Sequence, residues 1–100
     1  MMNDYRAVTR NLMEAYGIIP SSTRRADEAV RRYRRRWGDD DALTVFTDAY
    51  IDHPADGISR RLDRLHMQKS CFYKHLGRAE ERIGMILDGM AEEEAGEGVC

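Results

Sequence analysis

The stretch GISRRLDRLHMQKSCFYKHLGRAEERIG, residues 57–84, consists of two amphipathic segments with a short break between them at residues 66–68. Apolar side chains recur at helical spacing in both segments, and one more lies in the break: Ile58, Leu62, Leu65, Met67, Phe72, Leu76 and Ala79. Residues three and four positions apart share one face of a helix. The stretch therefore predicts two helices that pack against each other around a sharp turn.

Helical spacing also recurs along the rest of the chain, and no run alternates apolar and polar residues for long enough to predict a sheet. The residues predicted to face inward from three earlier helices are Tyr5, Val8, Leu12 and Tyr16, then Ala26, Val30, Tyr33 and Trp37, and then Leu43, Phe46, Ala49 and Tyr50. Hydroxyl groups at residues 21–23 and the carboxylate of Asp56 are predicted N-caps. The fold class that follows is all-α, a small bundle of about five helices that ends in a helix-turn-helix.

The chain of 100 residues is predicted to form one domain. Residues 1–90 make up this helical domain, in which residues 1–55 supply supporting helices and residues 56–90 the helix-turn-helix. Its last helix is expected to run from about Ser70 to Met90. The Glu-rich and Gly-rich residues 91–100 are predicted to form an acidic flexible tail.

The cellular compartment is predicted from cysteine content and hydropathy. Two cysteines, Cys71 and Cys100, are more typical of a reducing compartment than of a disulfide framework. The longest stretch without a charged residue has nine residues, whereas a membrane-spanning helix needs ~20. The N-terminus has no apolar segment of the kind found in signal peptides. We therefore expect a cytoplasmic protein without a membrane segment.

The charged side chains are segregated along the chain, although the formal net charge is only −2. Residues 21–37 carry seven arginines and a net charge of +5, residues 38–57 carry −6, and residues 58–87 carry +4. Such asymmetry creates local fields that the net charge does not reveal. The arginine-rich segment is predicted either to bind nucleic-acid phosphates or to dock against the Asp-rich segment of the same chain.

The second helix of the helix-turn-helix carries the candidate base-reading residues. In such motifs this helix presents its N-terminal, outward residues to base edges in the major groove of DNA. Those positions here hold hydrogen-bonding or basic side chains: Gln68, Lys69, Ser70, Tyr73, Lys74 and Arg78. Acidic residues begin only at Glu80 and Glu81, beyond the part expected to meet DNA. The candidate phosphate-binding residues are Arg60, Arg64, Arg32 and Arg35.

The segment LHMQKSCFYKHLGRAEERI, residues 65–83, resembles the C-terminal helix-turn-helix of phage-encoded transcriptional regulators of the ArpU type. More distantly, it is similar to region 4 of bacterial sigma factors. The shared pattern is an apolar turn residue, a short polar turn, an aromatic pair, a basic residue and then L-x-x-A. This sequence departs from the pattern at His66, where Gly is usual, and at Leu62, where Ala is usual.

The resemblance covers residues 58 to about 87. It implies a sequence-specific, DNA-binding transcriptional regulator encoded by a phage or prophage, and double-stranded DNA as its partner. By position, it places Gln68, Lys69, Ser70, Tyr73 and Lys74 against DNA.

Three alternatives remain open at the level of sequence. Residues 58–87 are also compatible with a plain pair of packed helices whose outer faces happen to be basic. The basic faces could instead engage an acidic protein surface, such as an RNA polymerase subunit or the host target of a phage-encoded inhibitor. The arginine-rich helix over residues 24–36 could bind structured RNA.

Metal binding and catalysis are not predicted. The cluster with metal-ligand chemistry is His66, Cys71 and His75, and no further ligand completes a tetrahedral site at standard spacing. No glycine-rich phosphate loop or nucleophile elbow occurs in the sequence. We therefore expect no cofactor and no enzymatic activity.

A second apolar series continues along the last helix, and its outward members are Ile83, Ile86, Leu87 and Met90. Their spacing resembles a short heptad seam, which is typical of a helix that packs on a partner helix. The series predicts a homodimer that would pair two DNA-reading helices on a palindromic site. Packing of the same residues on the protein's own core is the alternative.

Overall fold

A computed structural model describes the backbone of residues 4–99 and the side chains of residues 4–94. Over this range the chain forms five α-helices and no strand, which confirms the predicted all-α bundle. The helices are α1 (Tyr5–Glu14), α2 (Pro20–Trp37), α3 (Asp41–Thr47), α4 (Ile58–Leu65) and α5 (Lys69–Val99). A single π-helical turn, Asp48–Asp52, continues α3. None of the described helices combines the length and apolar character needed to cross a bilayer.

The long helix α5 is the centre of the bundle, and the other four helices pack around it. The larger group of buried apolar residues comes from α1, α2, α3 and the part of α5 that begins at Ala79. A smaller group surrounds Phe72 at the start of α5 and includes Val45 and Ala49. The core residues predicted for α2 and α3 are confirmed, since Val30, Tyr33 and Phe46 are all buried.

The buried face of α1 differs from the predicted one. Thr9 and Met13 are buried, whereas Val8 was predicted to face inward and is 45% exposed. The reason is a polar contact between helices, because the Thr9 hydroxyl donates a hydrogen bond to the backbone carbonyl of Glu80. Periodicity of apolar residues cannot detect a face that is fixed by a hydroxyl group.

Two predicted N-caps are wrong. Helix α2 begins at Pro20 after Ile19 and has no side-chain cap, so the hydroxyls at residues 21–23 lie inside the helix. Proline suits the first helical position because its missing N–H would have no partner there. Helix α4 is capped by Gly57, again without a side-chain hydrogen bond. The carboxylate of Asp56 instead forms an ion pair with an arginine of α4.

The segment predicted to be a flexible tail, residues 91–100, continues helix α5 as far as Val99. Two of its carboxylates, on Glu93 and Glu94, form ion pairs with arginines of α2. These contacts neutralise part of the negative charge of the segment. The composition of residues 91–100 alone does not indicate them, because the arginines come from a distant helix. The second cysteine, Cys100, lies outside the described residues.

The apolar series predicted to bind a second copy of the chain lies mainly in the protein's own core. Ile83, Leu87 and Met90 are 1%, 4% and 6% exposed, and Ile86 packs against the same core. Residues of α1 and α2 cover this face of α5 within one chain. The predicted homodimer surface is therefore corrected to an internal contact, the alternative that the sequence had left open.

Candidate nucleic-acid interface

The connection between α4 and α5 lies at residues 66–68, the position predicted from the sequence. His66 follows α4 with φ 52° and ψ 48°, a left-handed conformation that glycine usually adopts. The backbone N–H of Met67 then donates to the carbonyl of Leu62 at 3.2 Å, which closes the end of α4. His66 thus takes the required backbone conformation, although the sequence departs from the usual glycine there.

Helix α4 braces the first turns of α5 through the group around Phe72. Phe72 is 1% exposed, and the partly buried side chains packed around its group are Tyr50, Ile58, Leu62, Leu65, Met67 and Leu76. Six of these seven side chains were predicted to face inward from the helix pair, and the prediction is confirmed for them. Because Phe72 is held on one face, the opposite face of the same helical turns points to solvent.

All six candidate base-reading residues lie on the exposed surface: Gln68, Lys69, Ser70, Tyr73, Lys74 and Arg78. Among the side chains of residues 4–94, none forms an ion pair with Lys69, Lys74 or Arg78. Tyr73 is 50% exposed, and its ring lies edge-on to Phe72 at 5.3 Å between centroids. Three cationic groups and one phenol on the first turns of α5 are therefore available to an external ligand.

The two arginines predicted to hold phosphates from α4 have different environments. Arg60 is exposed, and no ion pair joins it to the described side chains. Arg64 is committed inside the protein, with Nε 2.7 Å from Asp48 Oδ2 and Nη1 2.9 Å from Asp56 Oδ2. These hydrogen bonds, that to Asp48 above all, raise the pKa of Arg64. Arg64 is therefore corrected from a phosphate ligand to a link between α4 and the π-helical turn.

Replacing Arg64 by glutamine is expected to destabilise the fold by about 1–3 kcal/mol, because Asp48 is 6% exposed and loses its bidentate partner. The matched change Arg60→Gln removes an equal charge from an exposed position and should alter stability by less than about 0.5 kcal/mol. Urea denaturation of both variants measures the difference. Equal stability of the two would contradict the assignment of Arg64 to a structural role.

The arginines of α2 are largely neutralised within the chain. Glu28 accepts from Arg31 and Arg32, and Glu93 of α5 receives a bidentate contact from Arg32 with both distances 3.0 Å. The further ion pairs on this helix are Arg25 with Glu94, Arg34 with Asp39, and Arg35 with Glu28. The sequence left internal and external partners open, and the structure provides internal ones for Arg32 and Arg35. Most of them come from Glu28 and α5 rather than from the Asp-rich segment.

These ion pairs predict a dependence of stability on pH. Hydrogen bonds from Arg31 and Arg32 lower the pKa of Glu28, and the contact with Arg32 lowers the pKa of Glu93. A carboxyl group whose pKa is lower in the folded state stabilises the fold above its unfolded pKa, and the contribution disappears as the pH falls through the folded pKa. Stability at low salt should thus decrease from pH 5 downwards, and the decrease should be smaller in Glu93→Gln. Thermal denaturation between pH 6 and pH 3 tests this, and identical profiles of the two proteins would contradict it.

The middle of the arginine-rich helix α2 lies far from the beginning of α5. Arg32 contacts Glu93, which lies 19 residues beyond Lys74 on the same helix. A rise of about 1.5 Å per residue places these two positions roughly 28 Å apart along α5. The C-terminal end of α2 lies closer, because Arg36 and Arg82 both lie against the ring of Trp37, with their Cζ atoms 4.6 and 4.7 Å from its centroid. The candidate interface is therefore centred on the beginning of α5.

Sequence reasoning missed a polar cluster beside this interface. Glu80 is 2% exposed and accepts from Arg6 Nε at 3.3 Å, while Arg10 Nη1 lies 3.8 Å away. The hydroxyl of Tyr50 also donates to Glu80, and burial together with this hydrogen bond raises the pKa of Tyr50. The only sign of this cluster in the sequence was the four-residue spacing of the two arginines, which places both on one face of α1. Glu80 is therefore an internal counter-charge and not the start of an acidic surface.

No metal site is found among the described residues, where no group of three or more potential ligands comes together. The chain was also compared with protein-family models, with curated proteins and with solved structures, and no match was found. Conclusions about function must therefore be drawn from the geometry of the surface.

Proposed function

We propose that the protein is a cytoplasmic, sequence-specific transcriptional regulator that inserts the first turns of α5 into the major groove of double-stranded DNA. The observation that carries the proposal is a set of exposed side chains without ion pairs on the first turns of α5: Lys69, Tyr73, Lys74 and Arg78. Phe72 fixes these turns to the core, so the exposed side chains have a defined orientation. A rigid helix that presents hydrogen-bonding groups from its N-terminal turns suits groove reading.

The side-chain chemistry of this face fits base edges. Lysine donates hydrogen bonds to guanine O6 and N7, glutamine pairs with adenine N6 and N7, and serine contacts either kind of base. Lys69, Gln68 and Ser70 provide these three groups within one helical turn. Lys74 and Arg78 follow on the next turns, where phosphates are the more accessible partners. The protein is proposed to act by binding and to have no enzymatic activity.

The number of cationic side chains without an ion pair determines how strongly the affinity for DNA should depend on salt concentration. Lys69, Lys74, Arg78 and Arg60 have no ion pair, whereas Arg64 and Arg32 are each held by two carboxylates of the chain. Arg35 is 71% exposed and has a single contact of 3.5 Å with Glu28. Each neutralised phosphate contributes about 0.9 to the slope of log affinity against log salt concentration. On random-sequence DNA, where all four unpaired cations are expected to contact phosphates, the slope would be about −3 to −4.

The proposal is tested by fluorescence anisotropy with random-sequence duplex DNA at about 50 and 200 mM salt. The wild-type protein should bind in a salt-dependent way, and the double variant Lys69→Glu/Lys74→Glu should not. The control Arg24→Glu/Arg31→Glu changes the net charge equally on α2, where both arginines are exposed, and it should retain binding. Absence of binding by the wild-type protein at low salt would contradict the proposal.

An RNA-binding function through α2 is disfavoured by the ion pairs of Arg32 with Glu28 and Glu93. Binding of a structured RNA that is lost in the α2 variant and kept in the α5 variant would reverse this preference. A protein partner remains an outcome of the same test, since an acidic protein surface, including one on RNA polymerase, would require no affinity for DNA.

The proposed phage or prophage origin rests on the resemblance of residues 58–87. A homodimer on a palindromic site would have to use a surface other than the buried face at Ile83 and Leu87.

A further inference from the structure

An arginine of α1 lies directly against the helix that carries the candidate interface. A Cβ atom on Gly77 would be 3.2 Å from Arg6 Cζ and 3.4 Å from Arg6 Nη2, so the guanidinium lies where a side chain longer than a methyl group at position 77 would extend. The Arg6 side chain is nevertheless 51% exposed. Gly77 thus allows a cationic group from another helix to lie on the surface of α5.

Only one edge of this guanidinium is occupied within the chain. Nε of Arg6 donates to Glu80 Oε1 at 3.3 Å, and among the side chains of residues 4–94 no hydrogen-bond acceptor is found for Nη1 or Nη2. The buried Glu80 carries one negative charge and is shared by Arg6 and Arg10, so the cluster retains a positive surplus. The terminal N–H groups of arginine form a planar fork that matches two phosphate oxygens.

The position of Gly77 along α5 places this fork near the rim of a DNA groove. Gly77 lies eight residues, about 12 Å, beyond the start of α5 at Lys69. The major groove is about 8.5 Å deep. If α5 enters the groove with its N-terminal turns first, Gly77 therefore lies outside the groove, beside the phosphates and away from the base edges. Lys74 lies one turn away, and the next exposed acid on α5 is Glu81.

We infer that Arg6 is a phosphate-binding residue of the interface, that Glu80 positions it and that Gly77 provides its place on α5. This inference rests on the proposed function and extends it to α1. Its ligand is the phosphodiester backbone of the strand that borders the groove. The DNA is then held from two helices that are far apart in sequence, with α5 in the groove and α1 at its rim.

The experiment measures the salt dependence of duplex-DNA affinity for Arg6→Gln, Arg6→Lys and Gly77→Gln. Loss of one phosphate contact should reduce the slope by about one in Arg6→Gln and lower affinity several-fold at low salt, uniformly across sequences. Arg6→Lys should keep the slope, because it keeps the charge. Gly77→Gln should lower affinity, because its longer side chain takes the space of the Arg6 guanidinium, whereas a methyl group would require only a small shift of Arg6. The matched control is Arg34→Gln on α2, whose arginine is similarly exposed and also ion-paired, and it should bind like the wild-type protein.

Folding is followed in parallel by urea denaturation, because Arg6 is a partner of a buried carboxylate. If Arg6→Gln is unfolded, Gly77→Gln retains the arginine and decides the question. Two results would overturn the inference and leave the proposed function intact, provided that the wild-type protein binds normally. One is an unchanged slope in Arg6→Gln, and the other is unchanged affinity in a folded Gly77→Gln. Absence of DNA binding by the wild-type protein would overturn both.

Discussion

Replacing Phe72 by alanine is expected to cost about 3–5 kcal/mol of folding free energy, the range for a fully buried aromatic side chain. Phe72 is 1% exposed and is the central contact between α4, α5 and the end of α3. A cavity at this position would separate the helix pair from the core. Urea denaturation monitored by circular dichroism measures the loss, and a change below about 1 kcal/mol would contradict the assignment of Phe72 as the brace.

The neighbouring residue provides a matched comparison. Tyr73 is 50% exposed, so Tyr73→Ala should cost much less stability, on the order of 1 kcal/mol for its edge contact with Phe72. On a specific DNA site, however, Tyr73→Ala should weaken binding by about 1–3 kcal/mol. The two substitutions should therefore have different effects, with Phe72→Ala lowering mainly stability and Tyr73→Ala lowering mainly DNA affinity. Equal stability losses for both would contradict the proposed orientation of α5.

Gly84→Ala should destabilise the protein by about 2 kcal/mol. A Cβ atom at this position would lie 2.7 Å from the carbonyl carbon of Tyr5 and even closer to its oxygen, so the α1 and α5 backbones would have to move apart. Overpacking typically costs about 1–3 kcal/mol, occasionally more. Alanine recovers roughly 1 kcal/mol through its higher helix propensity, and the severity of the backbone clash leaves a net loss.

The control for this change lies on the same helix. A Cβ atom at Gly89 would meet no atom within 4 Å, so Gly89→Ala should keep the full propensity gain and raise stability by up to about 1 kcal/mol. The urea midpoints of the two variants should move in opposite directions. A stabilised Gly84→Ala would show that α1 does not approach α5 as closely as described.

Sequence patterns predicted the α4–α5 pair well because its contacts are local and apolar. Ile58, Leu62 and Phe72 occur at fixed offsets around a short turn, and periodicity alone places them on facing surfaces. The exposure of Lys74 and Arg78 follows, because a helix that buries one face leaves the opposite face in solvent. The same reasoning identified the core residues of α2 and α3.

Contacts between distant polar groups were not predictable in this way. The inward face of α1 depends on a hydrogen bond from Thr9 to α5, and the role of Arg64 depends on Asp48, which is 16 residues away. Burial of Asp48 accompanies a π-helical turn that apolar spacing did not indicate. The distribution of charged residues along the sequence does not show which arginine pairs with which carboxylate in the fold. For that reason the arginine-rich helix α2 seemed more available to nucleic acid than its ion pairs allow.

The surface that meets DNA can be located directly from the amide chemical shifts of isotope-labelled protein during titration with duplex DNA. We expect the largest shifts at residues 68–78 and around Arg6, with small shifts along the α2 arginines at residues 24–36. Shifts concentrated on α2, or no shifts at a low salt concentration, would contradict the proposal that the beginning of α5 reads the groove.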